Sequence, residues 1–285
     1  VFMKITLQHP RALTDALVQS LTENLAGERV RINAQCVQLQ NTVFDPKRQH
    51  ELSEQAQAAG IDIAFSERSL MWADFQLLAM DMDSTLINIE CIDEIAGMCG
   101  KKTEVAAITE AAMRGEITDF NESLRRRLAI FAGADASVLQ KVLNESLQLN
   151  PGAEQLISAA HAHGVQTLLV SGGFTFFADA VQKRLNLTHA HANELEIIDG
   201  KITGNVIGEI VSGDVKAALV QKYCDALNVP TSAAICMGDG ANDLPMMAIG
   251  GLSVAYHAKP RVQAHATIAL NHMGLDGLAN VLAHP

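Results

Sequence analysis

Apolar and polar positions divide the first 74 residues into short stretches with strand-like or helix-like spacing. Arg29–Gln40 alternates apolar and polar residues as a half-buried strand does, whereas Ala12–Leu25 places its leucines near helical spacing. This pattern predicts a small N-terminal α+β domain over residues 1–74, which could serve packing or dimerisation or could sense a small molecule. The predicted order is strand 2–8, helix 12–25, strand 29–40, helix 46–59 and strand 61–65.

Residues 75–285 follow a different pattern. A short apolar run at Leu78–Met80 predicts a buried strand, and the alanine-rich, charged region from Ile92 to Leu149 predicts helices without strands. From Gly152 onward helices and short apolar strands alternate, which predicts a parallel sheet covered on both faces, with a hairpin at Asp199-Gly200. We therefore expect an α/β fold with a Rossmann-like sheet core and an inserted helical cap at about 90–150.

Composition and charge narrow the classes of protein. The 285 residues are 48% hydrophobic and 19% charged, which supports a sizeable core and leaves room for two domains. A net charge of −11 argues against a nucleic-acid partner, and no apolar run approaches the roughly 18 residues that a membrane span requires. The five cysteines are odd in number and lack C-x-x-C spacing, so we expect reduced thiols in a cytoplasmic protein.

Two acidic clusters directly follow apolar runs. Asp81 and Asp83 come after the Leu78–Met80 run, and Asp239 and Asp243 come after a second predicted strand. Because ligands of parallel sheets bind beyond the carboxyl ends of the strands, these side chains should converge on one crevice. Carboxylates without a nearby histidine or cysteine favour a hard cation, and the small number of protein ligands favours Mg²⁺.

Two further features suit an anion in the same crevice. Ser171-Gly172-Gly173 offers a hydroxyl and backbone N–H groups at the start of a predicted helix. Lys216 lies on the helix predicted after the Asp199-Gly200 hairpin, and its charge could offset that of a phosphate. Taken singly, the first could be a tight strand–helix turn and the second a solvated surface lysine.

In this order the motifs resemble those of phosphatases of the haloacid dehalogenase-like superfamily. Further matches resemble the members of that superfamily that hydrolyse phosphoserine, and the resemblance covers about residues 76–285. The superfamily motifs are Asp81-x-Asp83-Ser84-Thr85, Ser171-Gly172-Gly173-Phe174, Lys216 and Gly238-Asp239-Gly240-Ala241-Asn242-Asp243. The further matches are Glu90 and its neighbours 89–94, Met113-Arg114-Gly115, the run Phe120–Arg127, and Ala192-Asn193-Glu194-Leu195.

The resemblance implies a role for each matched residue at the reacting end of the site. Asp81 would attack phosphorus and form an aspartyl-phosphate, and Asp83 would act as general acid and then general base. Mg²⁺ would be held by Asp81, the backbone carbonyl of Asp83, and Asp239, with Asp243 supporting the ion. The phosphoryl oxygens would be bound by the Ser171 hydroxyl, the Gly172 N–H and Lys216.

The resemblance also implies a substrate, O-phospho-L-serine, hydrolysed to L-serine and phosphate in the last step of serine synthesis. Arg127 would bind the substrate carboxylate and Glu90 its ammonium group, while Met113 and Phe120 would form apolar walls. Asn242 would help to fix the substrate or Lys216. A phosphatase for another metabolite, such as phosphohomoserine, and an inactive amino-acid-binding module remain alternatives, and a homodimer is one expected assembly.

Overall fold

Two separate β-sheets organise the chain in the computed structural model, which describes residues 2–43, 45–67 and 70–283. The first sheet is four-stranded and antiparallel, with the strand order β2-β3-β1-β4. Two helices accompany it, as the sequence pattern predicts. The elements are β1 (Phe2–Gln8), α1 (Asp15–Thr22), β2 (Glu28–Asn33), β3 (Cys36–Val43), α2 (Gln49–Ala58) and β4 (Asp62–Ser66).

The single strand predicted over 29–40 is wrong, because the chain reverses there and forms a hairpin. The two halves of the stretch are β2 and β3, which pair antiparallel with Asn33 opposite Cys36. The Asn33 side chain accepts a hydrogen bond from the Gln35 N–H at 2.8 Å, which turns the backbone without glycine or proline. The apolar–polar alternation continues across this turn, so the pattern does not reveal it.

The second sheet has seven strands in the order β11-β10-β9-β5-β6-β7-β8. All neighbours are parallel except β7 and β8, which form the hairpin predicted at Asp199-Gly200. The alternation of strands and helices confirms the α/β fold class. The elements outside the cap are β5 (Leu77–Met80), α7 (Ala153–Ala162), β6 (Gln166–Phe174), α8 (Thr175–Leu185), β7 (His189–Ile198), β8 (Lys201–Ile207), α9 (Gly213–Ala226), β9 (Ala234–Gly238), α10 (Leu244–Ile249), β10 (Leu252–Tyr256), α11 (Pro260–Gln263), β11 (Ile268–Leu270) and α12 (Gly277–Leu282).

Strand β5 lies at the centre of this sheet and is buried on both faces. Its alternate residues enter two different apolar clusters, with Leu78 and Met80 in one and Leu77 and Ala79 in the other. The continuous apolar run is therefore that of a strand covered by helices on both sides. This burial fixes the position at which the chain leaves β5 and enters the loop that begins with Asp81.

Four helices form the cap, inserted between β5 and α7. They pack mainly on one another, and the third of them also packs on β8. Gly204 of β8 makes this approach close: it has φ +89°, and a Cβ added there would lie 3.2 Å from the Ala129 Cα. The cap helices are α3 (Cys91–Met98), α4 (Lys102–Met113), α5 (Phe120–Ala129) and α6 (Ser137–Glu145).

The four-stranded sheet is attached to the α/β core by buried polar contacts. The Asp62 carboxylate, 3% exposed, accepts hydrogen bonds from the backbone N–H groups of residues 271–273 at 2.8–3.1 Å. Lys4 Nζ donates to the Val281 carbonyl at 2.8 Å. In the part of the chain that the structure describes, no helix combines the length and the apolar character needed to cross a membrane.

Candidate active site

A cavity of about 350 Å³ lies beyond the carboxyl ends of the central strands, between the sheet and the cap. The core contributes the loops that follow β5 and β9, the last residues of β6, and one residue that follows β10. Helices α3, α4 and α5 of the cap line the opposite side. The structure thus brings the acidic clusters and the Ser171-Gly172-Gly173 segment to one crevice, where the sequence analysis expects them.

The loop after β5 turns sharply and directs two aspartates into this cavity. Asp81 leaves the strand in an extended conformation, and its carboxylate accepts a hydrogen bond from the Met82 N–H at 2.7 Å. Ser84 has φ +55°, which is uncommon for a residue with a side chain, and the Ile87 N–H bonds back to the Met82 carbonyl at 3.0 Å. The resulting tight turn places Asp83 beside Asp81 at the cavity wall.

Carboxylate oxygens of Asp81, Asp239 and Asp243 lie within 4.8 Å of one another. Asp243 is fully buried, and its Oδ2 accepts hydrogen bonds from the N–H groups of Asp239 (3.2 Å) and Gly240 (3.0 Å). Thr85 Oγ1 donates to Asp239 Oδ1 at 3.2 Å. Three clustered carboxylates with only oxygen donors fit a hard cation such as Mg²⁺. The Asp83 side chain does not belong to this cluster.

Lys216 is wholly buried beneath the cluster, so the interpretation as a surface lysine is wrong. Its Nζ lies 2.8 Å from Asp81 Oδ1 and 2.7 Å from Asp243 Oδ1. Burial alone would lower the Lys216 pKa, but the carboxylates of Asp243 and Asp81 outweigh burial and raise it. The lysine therefore stays positively charged and joins two of the three clustered carboxylates.

Asp81, Asp83 and Asp239 have raised pKa values, so they hold protons more tightly than aspartates in water. Burial, followed by the charge of Asp243, raises the pKa of Asp81 well above its usual range and that of Asp239 to about 7. Burial and the charge of Glu90 raise the pKa of Asp83 to about 7. Since the Asp83 carboxylate also accepts hydrogen bonds from the Cys91 N–H and Sγ at 3.1 Å, its orientation is fixed. A carboxyl with this pKa can both donate and accept a proton near neutral pH.

The Ser171-Gly172-Gly173 segment extends β6 into the cavity wall. Ser171 is fully buried and its Oγ accepts a hydrogen bond from the Gly173 N–H at 2.8 Å. The Gly172 carbonyl accepts from Asn193 Nδ2, also at 2.8 Å. A Cβ added at Gly173 would lie 2.9 Å from Met82 Cε and 3.0 Å from Ser171 Oγ, so glycine allows β6 to lie close to the loop that follows β5.

Glu90, Phe120, Arg127 and Asn242 also line the cavity, as predicted. The Ser84 hydroxyl donates to the Glu90 carboxylate at 2.5 Å, and Arg127 Nε donates to the Ser123 carbonyl at 3.4 Å. Burial lowers the Arg127 pKa, although the nearby carboxylates of Asp93 and Glu90 oppose the change. Arg127 thus has its terminal nitrogens available to a ligand.

The cavity wall does not include Met113, contrary to the sequence-based expectation. Its side chain is 69% exposed at the last residue of α4, a helix whose one buried residue is Val105. Thr109, one turn earlier on the same side of the helix, lines the cavity instead. The apolar wall is completed by Ile92, Leu124 and Phe174, which belong to matched motifs but are given no role by the sequence analysis.

Lys259 is a charged residue of the cavity that the sequence analysis misses. It follows β10, whose Ala255 pairs with Gly238 immediately before Asp239. The position could have been found by asking which residues follow the strand next to β9. Nothing in its local sequence, a lysine before a proline, distinguishes it from a surface residue.

Comparison with known proteins shows the enzyme family to which the chain belongs. The family model of haloacid dehalogenase-like hydrolases matches residues 78–248, which include the Asp81 loop, the cap, the Ser171 segment, Lys216 and the Asp239 loop. The chain belongs to this family, and it is an enzyme of the phosphatase class.

Among the members of this family, the chain is similar to phosphoserine phosphatases. The phosphoserine phosphatase of Polaromonas sp. (strain JS666) is 49% identical over 227 residues, 78% of this chain and 96% of the relative. The unliganded crystal structure of the probable phosphoserine phosphatase from Vibrio cholerae is 38% identical and has a TM-score of 0.84, covering 98% of this chain and 86% of that one. A phosphoserine phosphatase solved as an analogue of its phospho-aspartyl intermediate is 33% identical with a TM-score of 0.69, covering 73% of this chain and 99% of that one.

Proposed function

We propose that the protein hydrolyses O-phospho-L-serine to L-serine and phosphate through an aspartyl-phosphate on Asp81. One observation carries the proposal: a single cavity is lined by Asp81 and Asp239, with Lys216 buried against Asp81, and also by Glu90 and Arg127. The first group suits a phosphate and a metal ion, whereas the second suits the ammonium and carboxylate groups of an amino acid. The similarity to curated phosphoserine phosphatases supports the same substrate.

In the first half-reaction an oxygen of Asp81 attacks phosphorus. The new bond joins Asp81 to the phosphoryl group while the bond from phosphorus to the serine oxygen breaks. Asp83 donates its proton to that oxygen, and its pKa near 7 makes this transfer available at neutral pH. Lys216 holds Asp81 in place and, with the Ser171 hydroxyl and the Gly172 N–H, stabilises charge on the phosphoryl oxygens.

In the second half-reaction the deprotonated Asp83 takes a proton from water. The water oxygen attacks phosphorus, the bond to Asp81 breaks, and phosphate leaves with Asp81 restored. Mg²⁺ fits the three clustered carboxylates, and Asp81, Asp239, Asp243 and the Asp83 carbonyl would hold it. When bound, the ion supplies positive charge that offsets the charge of the phosphate and of these carboxylates.

Substrate choice is assigned to the far end of the cavity. Arg127 binds the carboxylate through its terminal nitrogens, and Glu90, oriented by Ser84, accepts from the ammonium group. Phe120 gives an apolar wall, and Asn242, from the loop of Asp239, would help to fix the substrate or Lys216. A wall formed by Met113 stays a prediction that would require α4 to move toward the cavity.

We also propose a cellular role for the protein, in the synthesis of serine in the cytoplasm. All five cysteines are free thiols, which supports the reducing environment of the cytoplasm. There the reaction would complete the synthesis of serine. The domain division at residue 74, a homodimer, and a packing or sensing role for residues 1–74 stay predictions.

A substrate panel tests the proposal. Phosphate release is measured with O-phospho-L-serine, phosphohomoserine, phosphothreonine and 4-nitrophenyl phosphate, each with Mg²⁺ and with EDTA. We expect activity that requires Mg²⁺ and strongly prefers phosphoserine, and Asp81→Asn gives the background rate. Activity without that preference would leave the chemistry in place but reject the substrate, and no activity on any compound would favour the binding-module alternative.

Neighbouring arginines provide a matched pair for the carboxylate assignment. Arg126 is exposed and paired with Glu122 at 2.7 Å, whereas Arg127 points into the cavity. Arg127→Ala should lower kcat/KM for phosphoserine about a hundredfold relative to 4-nitrophenyl phosphate, because it loses a charged hydrogen-bonding partner. Arg126→Ala should change neither rate by more than about twofold. Equal losses on both compounds in the Arg127 variant would show that it does not bind the carboxylate.

A further inference from the structure

Lys259 adds a positive charge to the cavity wall. It lies on a different element from Arg127 and Lys216, the other two cations of the site. It precedes α11 in the loop that follows β10. Since Ala255 of β10 pairs with Gly238 of β9, this loop lies beside the Asp239 loop at the carboxyl edge of the sheet. Lys259 and Asn242 therefore line the cavity from the core side, whereas Arg127 reaches it from cap helix α5.

The three cations differ in how far their charge is already neutralised. Lys216 is wholly buried between Asp81 and Asp243, so it is committed to the metal and phosphate end. Lys259 is solvent-exposed, and among the described residues no carboxylate lies within 4.0 Å of its Nζ. Arg127 likewise makes no ion pair with a described carboxylate and bonds to the Ser123 carbonyl alone.

Both unpaired cations act on the same carboxylate. Burial raises the Glu90 pKa, while the Ser84 hydrogen bond and the charges of Arg127 and Lys259 oppose the rise. Lys259 therefore lies at the amino-acid end of the cavity, within electrostatic reach of Glu90. Both side chains line this cavity, Lys259 from the core and Arg127 from the cap.

An amino-acid phosphate carries a carboxylate in addition to the phosphate, and this carboxylate does not bind at the metal and phosphate end of the cavity. Its phosphate occupies the end with Lys216, and its ammonium group neutralises Glu90. The remaining group is the carboxylate, and the remaining cations are Arg127 and Lys259. A carboxylate has two oxygens and can accept hydrogen bonds from both side chains.

We propose that Lys259 is a specificity residue that binds the substrate carboxylate together with Arg127, so that the carboxylate bridges the core and the cap. This inference rests on the proposed function and assigns a second residue to the same recognition step. It explains why an exposed lysine faces the cavity without a protein partner. A compound without a carboxylate cannot bridge the two cations, and it would gain nothing from Lys259.

Four phosphate esters separate the groups that Lys259 could recognise. O-phospho-L-serine has both charged groups, phosphoethanolamine only the ammonium, 3-phosphooxypropionate only the carboxylate, and 4-nitrophenyl phosphate neither. The variants are Lys259→Met, Lys259→Arg and, as a matched control, Lys141→Met, which replaces an exposed lysine on α6. Circular dichroism and thermal midpoints show whether each variant is folded.

For Lys259→Met we expect kcat/KM to fall about tenfold on the two carboxylate-bearing esters relative to the other two, mainly through KM. Lys259→Arg should retain most of the preference, and Lys141→Met should match the wild type. In the variant Arg127→Ala the further change to Lys259→Met should cost less than it does in the wild type, because the two side chains share one ligand group.

Three outcomes would overturn the assignment. An unchanged ratio between carboxylate-bearing and other esters would make Lys259 a surface residue. An equal loss on all four would place it at the phosphate, and a loss on phosphoethanolamine equal to that on phosphoserine would mean that it acts through Glu90. If the wild type shows no preference for phosphoserine, the proposed function fails first, and that result does not depend on Lys259.

Discussion

Asp81, Asp83 and Asp239 line one cavity, and Asp243 is buried beside them, so cations or protons must offset the charge of four carboxylates. Lys216 neutralises part of it, because its Nζ lies within 2.8 Å of both Asp81 and Asp243. The raised pKa values of Asp81, Asp83 and Asp239 show that the rest is reduced by protons when no metal ion is bound. A Mg²⁺ ion held as proposed would therefore compete with protons for these carboxylates.

This competition makes the stability of the metal-free protein depend on pH. Asp83 and Asp239 have pKa values of about 7 when folded, against about 3.9 for an aspartate in an unfolded chain. Between these values the folded state holds protons that the unfolded state has released, so stability falls as pH rises from about 4 through 7 and levels off above that range. In EDTA we expect a lower thermal midpoint at pH 8 than at pH 6. Added Mg²⁺ should raise the midpoint more at pH 8, where protons no longer compete.

The variant Asp239→Asn distinguishes the pH dependence that arises from the site carboxyl groups from that of histidines elsewhere in the chain. The variant removes one of the two carboxyl groups, so its midpoint should change less between pH 6 and pH 8 and should gain less from Mg²⁺. Differential scanning fluorimetry on both proteins gives the comparison. A Mg²⁺ effect that is larger at pH 6, or one that is identical in the variant, would contradict the account.

At the scale of elements, the position of Arg127 depends on how closely α5 packs on β8. Gly204 of β8 permits the contact, since an added Cβ would lie 3.2 Å from the Ala129 Cα and from the Leu128 carbonyl oxygen. Backbone atoms of a helix cannot move aside individually, so a side chain there would displace α5 as a unit. Arg127 lies within that helix and would shift with it.

Gly204→Ala should therefore weaken substrate selection at a distance from the cavity. We expect kcat/KM for phosphoserine to fall several-fold relative to 4-nitrophenyl phosphate, because even a shift of a few tenths of an ångström weakens charged hydrogen bonds. Gly208→Ala is the matched control: it has a similar left-handed φ of +79°, but no atom lies within 4 Å of the added Cβ. Both variants carry the same backbone strain, so equal selectivity in the two would remove the packing of α5 as its cause.

The sequence predicts which strands and loops carry the candidate site residues. It predicts the contacts between distant segments less well. Asp81 and Asp239 follow strands whose apolar runs are unambiguous, and parallel strands bring their carboxyl ends together whatever the loops do. The hairpin at Ala34 and Gln35 is missed because an asparagine side chain makes the turn without interrupting the alternation. The burial of Lys216, the outward position of Met113 and the presence of Lys259 in the cavity depend on distant segments, which local spacing does not encode.

At the scale of the whole molecule, the four-stranded sheet depends on the α/β core for buried hydrogen-bond partners. Asp62 is the centre of this contact, because its carboxylate accepts from three consecutive N–H groups after β11. Gln38 and Lys4 add side-chain donors to the carbonyls of Asn280 and Val281. These bonds join residues that are more than 200 positions apart.

Asp62→Ala should lower the free energy of unfolding by about 3 kcal/mol, since buried N–H groups lose their acceptor. Asp62→Asn keeps one acceptor oxygen and should cost less. Glu23→Ala, at an exposed position of the same sheet unit, should change stability by less than about 0.5 kcal/mol. Urea unfolding measures all three. An Asp62→Ala variant as stable as Glu23→Ala would show that the contact adds nothing.

The contact between Asp62 and residues 271–273 also has a consequence for biosynthesis. A ribosome adds about 5–20 residues per second, so the 209 positions from Asp62 to Asn271 take roughly 10–40 s to synthesise. During that interval β1 to β4 can pair with one another, but Asp62, Lys4 and Gln38 lack their native partners. The sheet made first is therefore completed last, and its polar contact residues stay exposed to solvent until the α/β core can cover them.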